Sequence, residues 1–542
     1  MRVAPCLKDS LFLVLFVAIW YSPFARAQAH IGASVLPPLK DSDYLGPEGL
    51  HRGEAVFISD FKISGNKVIS SNILSEELKS YLGRYVSYSE LSQIRDRLTL
   101  AYVKRGYVSS GAKFPIVNDK DGILIIDIVE GVLADVQIEY EGRLSKRYFQ
   151  ERLPSIGGAV VNIISIEKKL QLLQHNKRIN RVQSSLLQGE TPGESILSVK
   201  VSEAKAVHLS LKQSNHQSPN TGSNLTELVV EHQNLSGRGD LGRLAFAKSS
   251  GSKRVHGFYD IPVSSRDASI YIDGLMARNS VIEAPFDALN IKSQSDKLSL
   301  GLNYPIVRTK ETRFTLFSSV NYLRSKSFLL GSPFSFSAGV ENGEAKIAAV
   351  KFGHDLQVFG ESQAIAFRST LSVGLDAFGA TSHEGDNPDG QFVKLLFQAQ
   401  FARYFSQLDG RLVLRSDIQI ANKKLLGLEK FSNGGHAGVR GYRENSLLTD
   451  TGMFASLEWR QSLWRKGNST LTLVPFVDAG YGEDEDKVNG LHSDMSSTGL
   501  GLIWDFYQRG SADVFWAKPL KTFTRGDDLQ DKGLHFNFVL TF

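Results

Sequence analysis

One cysteine occurs in 542 residues, and it is Cys6, ahead of an apolar run from Leu11 to Trp20. Everything downstream is therefore without thiols, which excludes disulfide staples and Cys-ligated metal centres. Long apolar runs are missing as well. After Trp20 no stretch approaches the roughly 18 residues of a membrane helix, so a membrane protein with this sequence must cross with strands. A surplus of one charge is also missing: the net charge is only +5, which gives no reason to propose nucleic acid as a partner. There is no GxSxG elbow, Walker loop or HExxH pattern, so no catalytic residue, cofactor or metal ligand is assigned.

What is present begins with Arg2 and Lys8 before the apolar run and Ala25-Arg26-Ala27 after it. The run is too short to span a bilayer, and the flanks fit a secretory signal peptide over residues 1–27 with the mature chain starting at Gln28. Residues 28–54 read as a short linker interrupted by Pro37-Pro38, Gly46-Pro47 and Gly49, and a complete helix is not expected there.

The other end is more informative. Leu534, Phe536, Phe538, Leu540 and Phe542 fall on one face at the period of two that a strand imposes, and His535, Asn537 and Thr541 fall on the other. One face suits lipid and the other water, the expectation for the closing strand of an outer-membrane β-barrel. From about residue 206 some sixteen alternating segments follow one another, an even number in the usual bacterial range. Met453, Ala455, Leu457 and Trp459 alternate with Phe454, Ser456, Glu458 and Arg460, and the charged set must look into the lumen. Connections alternate long (423–450, 481–495, 518–532) and short (464–468, 507–510). Outer-membrane barrels keep short turns in the periplasm, so both barrel ends are expected there.

Residues 55–131 and 132–205 read as one α+β unit repeated: strand, helix, helix, strand, strand. In the first, a strand over 56–63 ends at Gly65-Asn66. A helix from Ser70 or Ser71 runs to Leu82, and a second from about Ser89 to Lys104 sets Leu91, Ile94 and Leu98 on one face. Strands are expected at 107–114 and 123–129. In the second, strands at 136–140, 182–187 and 196–201 flank helices near 146–153 and 166–179.

Two such units before a barrel resemble the POTRA domains of two-partner secretion transporters, the TpsB family. The resemblance is carried by Phe61-Lys62-Ile63-Ser64-Gly65-Asn66, Tyr102-Val103-Lys104-Arg105-Gly106-Tyr107-Val108, Ile128-Val129-Glu130-Gly131 and Pro192-Gly193-Glu194-Ser195. In the longest loop, Gly438-Val439-Arg440-Gly441-Tyr442 resembles the family's VRGY motif, and Phe476-Val477-Asp478-Ala479-Gly480 stands in the middle of a segment similar to its FxxDxG motif. The resemblance implies that loop 423–450 folds back into the barrel and that Arg440 bridges to Asp478. Glu458, lumen-facing on the intervening strand, is a second possible acceptor. The fold class implied is a membrane β-barrel of about 16 antiparallel strands (206–542) preceded by two small α+β POTRA domains. The function implied is passage of one large secreted protein of haemolysin, adhesin or toxin type across the outer membrane. Outer-membrane lipid and the barrel-assembly machinery would be further partners. A barrel-assembly factor of the same superfamily is the alternative, although such factors usually carry more POTRA units. Many family members place an N-terminal helix in the pore, from which the interrupted segment 28–54 departs.

Other signals have plainer readings. Gly237-Arg238-Gly239-Asp240-Leu241-Gly242 has GxGxxG spacing but strands on both sides, so it is a turn between barrel strands and not a dinucleotide site. His208, His216 and His232 lack metal-ligand spacing and belong on lumen or surface positions. Glu483-Asp484-Glu485-Asp486 is expected as a solvated loop tip.

Overall fold

The computed structural model describes residues 55–542 apart from 114, 119–120, 155–158, 485–492, 508 and 522–525. The expected signal peptide and the segment 28–54 lie outside the described residues. Two compact units divide between Ala204 and Lys205.

In the first unit the expected strand over 56–63 is two strands. At Ser59 the main-chain N–H turns to the Gly122 carbonyl (2.8 Å), which moves the chain from one sheet to another. Ala55–Ile58 pairs antiparallel with a short strand, Arg84–Ser87, absent from the sequence reading. Asp60–Ser64 runs parallel to Ile123–Val129. The helix begun at Ser71 ends at Leu78 and tightens into a 3-10 turn, Lys79–Tyr81. Ser87 then caps the helix Tyr88–Lys104 reciprocally with Glu90, a capping box that satisfies two orphan amide donors. The Ser87 N–H, with Arg84 beside it, holds the Glu90 carboxyl down to about 2. Leu91, Ile94 and Leu98 enter the core as the helical period requires, beside Leu74, Leu124 and Ile126. The strand expected over 107–114 shrinks to Gly111–Ala112, because Ser110 closes a turn on the Tyr107 carbonyl (3.1 Å).

The following segment has its own core around Phe149, Leu197, Val199 and Val201. Val132–Glu141 lies parallel to Glu194–Glu203, which pairs on its other side with Ile179–Gln188. This order leaves Val132–Glu141 and Ile179–Gln188 as sheet edges. Its helices are Lys146–Gln150, capped by Ser145, and Ile163–Gln174, capped by Asn162. Asn162 also donates to the Arg105 carbonyl (3.0 Å), and the Ile163 N–H to Gly106 (2.8 Å), joining the end of the earlier long helix to the start of this one.

From Val207 onward the chain forms a closed antiparallel barrel of sixteen strands, with the two-residue pairing Ser332–Pro333 appended to one of them. The first strand, Val207–Ser214, pairs with the last, Leu534–Thr541, through Ser210–Ser214 and Asn537–Thr541. Short connections (309–311, 360–362, 467–468) alternate with long ones (330–343, 376–392, 422–450). Leu298, Leu300, Leu414, Leu457, Val477 and Phe538 are exposed on the outside, whereas Ser299, Gln419, Glu458, Asp478 and His535 are buried inside. Inward polar groups pair across strands: Arg243 with Glu231 (2.7 Å), and His256 (2.6 Å) and Lys297 (2.8 Å) with Asp273. The Gly237–Gly242 segment joins Leu225–His232 to Leu241–Lys248 and opens no helix.

Candidate functional site

The connection 422–450 turns inward. Phe431–Asn433 pairs with Leu447–Thr449 as a small ribbon, and the chain between them descends onto the barrel wall. Val439, Tyr442, Phe431 and Leu447 cluster there with Phe454 and Met495 of two strands. Asn433 fixes the bend: its Oδ1 accepts from the Gly434 and Val439 N–H groups (2.9 and 3.3 Å), and its Nδ2 donates to the Met453 carbonyl (3.2 Å). The close approach needs glycine on the wall, since a Cβ at Gly480 would stand 2.1 Å from Asn433 Nδ2. Gly441 has φ +89 and lies against Ala517, where any other residue would be strained.

At the tip lies Arg440, 1% exposed. Its Nε and NH2 bond the two oxygens of Asp478, each at 2.8 Å, and its main-chain N–H donates to the same carboxylate at 3.1 Å. NH1 lies 2.9 Å from Glu458 Oε1, and NH2 donates to Ser456 Oγ at 3.1 Å. The guanidinium carbon sits 3.5 Å above the Phe476 ring and 4.9 Å from Phe515. A buried guanidinium is tolerable only when its charge and donors are met, and here a bidentate carboxylate, a second carboxylate and a π face meet them. Glu458 is also bonded by Arg460 (2.8 Å) and approached by Arg415 (3.7 Å).

Arg440, Asp478 and Glu458 are thus together, with both expected acceptors used at once. Val439, Gly441 and Tyr442 are around them; the Tyr442 hydroxyl donates to the Ser496 carbonyl at 3.1 Å. Phe536, Phe538, Leu540 and Phe542 are elsewhere, along the terminal strand. Just before the first of them, inward-facing His535 accepts from the Gly441 N–H at 3.0 Å. His216 reaches the same region, its ring stacked 3.9 Å from that of His436. Asp484 keeps a partly exposed side chain and pairs with Lys430 (2.7 Å), which also meets Asp450 (3.2 Å). Glu485 and Asp486 lie outside the described residues.

One anchor had no sequence signal. Arg443 bonds both oxygens of Asp531 (2.6 and 2.7 Å) and both of Glu283 (3.0 and 2.8 Å). Those partners are 88 and 160 positions away, in connections whose pairing no local pattern reveals. Together these contacts can hold a loop inside a barrel by charge. Among the described residues no three His, Cys, Asp or Glu side chains are grouped to hold a metal ion.

Residues 193–503 match the family model described as haemolysin secretion/activation protein ShlB/FhaC/HecB, and residues 56–131 match the ShlB-type POTRA domain. The heme/hemopexin transporter protein HuxB of Haemophilus influenzae (strain 86-028NP) is 23% identical over 484 residues, 84% of this chain and 82% of that protein. The outer membrane transporter CdiB of Dickeya dadantii (strain 3937) is 22% identical over 466 residues, 82% of this chain and 79% of its own. Among solved structures, CdiB from Escherichia coli superposes with a TM-score of 0.69 at 19% identity, covering 92% of each chain. BamA from Haemophilus ducreyi lacking POTRA domains 1–3 gives 0.56 at 16% identity, over 90% of this chain and 100% of that one.

Proposed function

Because the chain belongs to the ShlB/FhaC/HecB family of haemolysin secretion/activation proteins, two-partner secretion transporters of the outer membrane with periplasmic POTRA domains, we propose how its parts divide that work. Residues 55–131 and 132–205 act as two POTRA domains that capture one large secreted protein while it is unfolded. Residues 206–542 conduct it to the cell surface, and loop 423–450 is the movable obstruction in the path. The observation that carries this reading is the buried Arg440 network, which holds the loop in the lumen by ion pairs that can be broken and remade.

Capture by the POTRA strands follows from their edges. An extended segment can add to Val132–Glu141 or Ile179–Gln188 through main-chain hydrogen bonds that tolerate many sequences, with side chains giving selection. Neither ATP nor a membrane potential is available in this compartment, so folding of the cargo outside supplies direction. No catalytic step is needed. The chain's remaining partners are outer-membrane lipid around the barrel and the barrel-assembly machinery during its own insertion. An assembly factor is the less favoured reading, since the family model and the two relatives named above are of secretion or transporter type, and the likeness to BamA carries fold alone.

Cells lacking this chain are expected to retain the cognate secreted protein in the periplasm, and cells regaining it to release that protein to the medium. Equal release by both would overturn the assignment. In planar bilayers, deleting 434–445 is expected to raise or destabilise single-channel conductance strongly, whereas deleting 28–50 changes it little. A large rise from the N-terminal deletion alone would assign the obstruction to that segment instead.

A further inference from the structure

The barrel's lipid-facing wall contains a hollow of about 520 Å³. Across it the strand register aligns Val230, Leu244, Gly257, Gly274 and Leu298 in one row on five successive strands. The two adjacent glycines make the floor. A Cβ at Gly274 would have no atom within 4 Å, and one at Gly257 would meet only Leu244 Cδ1 at 4.0 Å. Other barrel glycines are covered by a ring of this chain: Gly301 by Tyr271, Gly410 by Trp459 and Gly501 by Phe515. Cross-strand aromatics of this kind shield glycine backbone in sheets. At Gly257 and Gly274 the covering group has to come from outside the chain, and on this wall the surrounding medium is the membrane.

One end of the hollow is a built structure. The turn 233–240, one of those on the periplasmic side, sends Leu235 onto the wall, where its Cδ1 stands 2.6 Å from the position of a Cβ at Gly242. Asp240 clamps that turn, accepting from Ser236 N–H and Oγ (2.9 and 2.8 Å) and from the Tyr259 hydroxyl (3.0 Å). Asn234 Oδ1 accepts from the Gly239 N–H (3.1 Å). Exposed at the tip, between Gly237 and Gly239, is Arg238. An apolar trough ending beneath a rigid turn that carries a guanidinium matches the order of an acyl chain and an anionic headgroup.

We propose that this wall retains one anionic glycerophospholipid of the periplasmic leaflet, an acyl chain lying over Gly257 and Gly274 and its phosphate meeting Arg238. The inference rests on the outer-membrane location and is independent of the secretion mechanism, so its test can fail without touching that reading.

The test uses the full chain purified in mild detergent, loaded with phosphatidylglycerol or phosphatidylcholine, washed, and weighed by native mass spectrometry. The wild type is expected to keep one phosphatidylglycerol after bulk lipid has gone, and less phosphatidylcholine. Gly274→Leu projects into the hollow from a position where a Cβ meets no atom within 4 Å. Since each methylene denied burial is worth roughly a factor of four, retention should fall about tenfold or more. Gly257→Val, with a β-branched side chain suited to a strand, should do the same should the leucine variant not insert. Arg238→Gln should remove the preference for phosphatidylglycerol while the chain is still held. Unchanged retention in an inserted, heat-modifiable filled variant would overturn the proposal. So would wild-type phosphatidylglycerol lost as fast as bulk lipid, or a wild-type dimer whose interface covers Gly274.

Discussion

Arg440→Ala is expected to reduce secretion severely while leaving a heat-modifiable barrel in the membrane. The strand ladder does not depend on the side chain, but the loop's hold does. Removing one member of a buried pair typically costs about 3–5 kcal/mol, because the partner is left buried without its counter-charge. Even the lower figure is on the order of a hundredfold in an equilibrium between docked and released loop. Asp478→Ala should be somewhat worse, since Asp478 also accepts from the Arg440 main-chain N–H, a bond that Arg440→Ala keeps. Arg440→Lys should fall between, keeping the charge but losing the fork that reaches both Asp478 oxygens. The double alanine variant should be little worse than Asp478→Ala. Secreted protein in the medium, normalised to barrel in the membrane, reads the outcome. Fully additive defects would mean that the two residues act separately.

Deleting 55–203 is expected to abolish export outright, yet leave residues 206–542 inserted. The clusters buried in residues 55–203 contain no barrel residue, and those of the barrel contain none from 55–203, so removing 55–203 does not unpack the barrel. What is lost is the set of sheet edges on which an extended segment can add. The measurement is the partner's distribution between periplasm and medium, with barrel insertion followed by heat-modifiable mobility. Normal levels in the medium would assign capture to the barrel itself.

How much of this was legible depended on the range of the interaction. Alternation along Leu412–Gln419 or Met453–Arg460 reports burial residue by residue, so the barrel's two faces could be read directly. The helix Tyr88–Lys104 was equally plain, because its buried residues recur at helical spacing. The break at Ser59 and the four-residue strand Arg84–Ser87 were not. Both depend on a carbonyl or a strand distant in sequence, and four residues carry too little pattern to compete with an adjoining helix. At the site, Arg440, Asp478 and Glu458 could be named because two are embedded in recognisable motifs and the third shares a face with neighbouring charges. Arg443 stands just beyond the same motif, but Glu283 and Asp531 come from connections whose approach only the closed barrel produces. His535 was read on the water-facing side of the last strand and His216 on a lumen or surface position, neither as a neighbour of the loop.

The seam of the barrel has a consequence for how the protein is made. The first strand meets the last through Ser210–Ser214 and Asn537–Thr541, with Leu209 bonding Phe542 and Asn215 bonding Phe536 at the two ends, and the hydroxyls of Ser210 and Thr541, 3.3 Å apart, are separated by 331 positions in the chain. Every other strand pair along the wall is between neighbours in sequence and can zip as the chain emerges. This pair cannot begin until all the intervening strands stand in register. Until then both terminal strands present open main-chain donors and acceptors, a state that hydrocarbon tolerates poorly. Ring closure therefore has to come late in biogenesis, and Leu534–Thr541 is the strand that completes it.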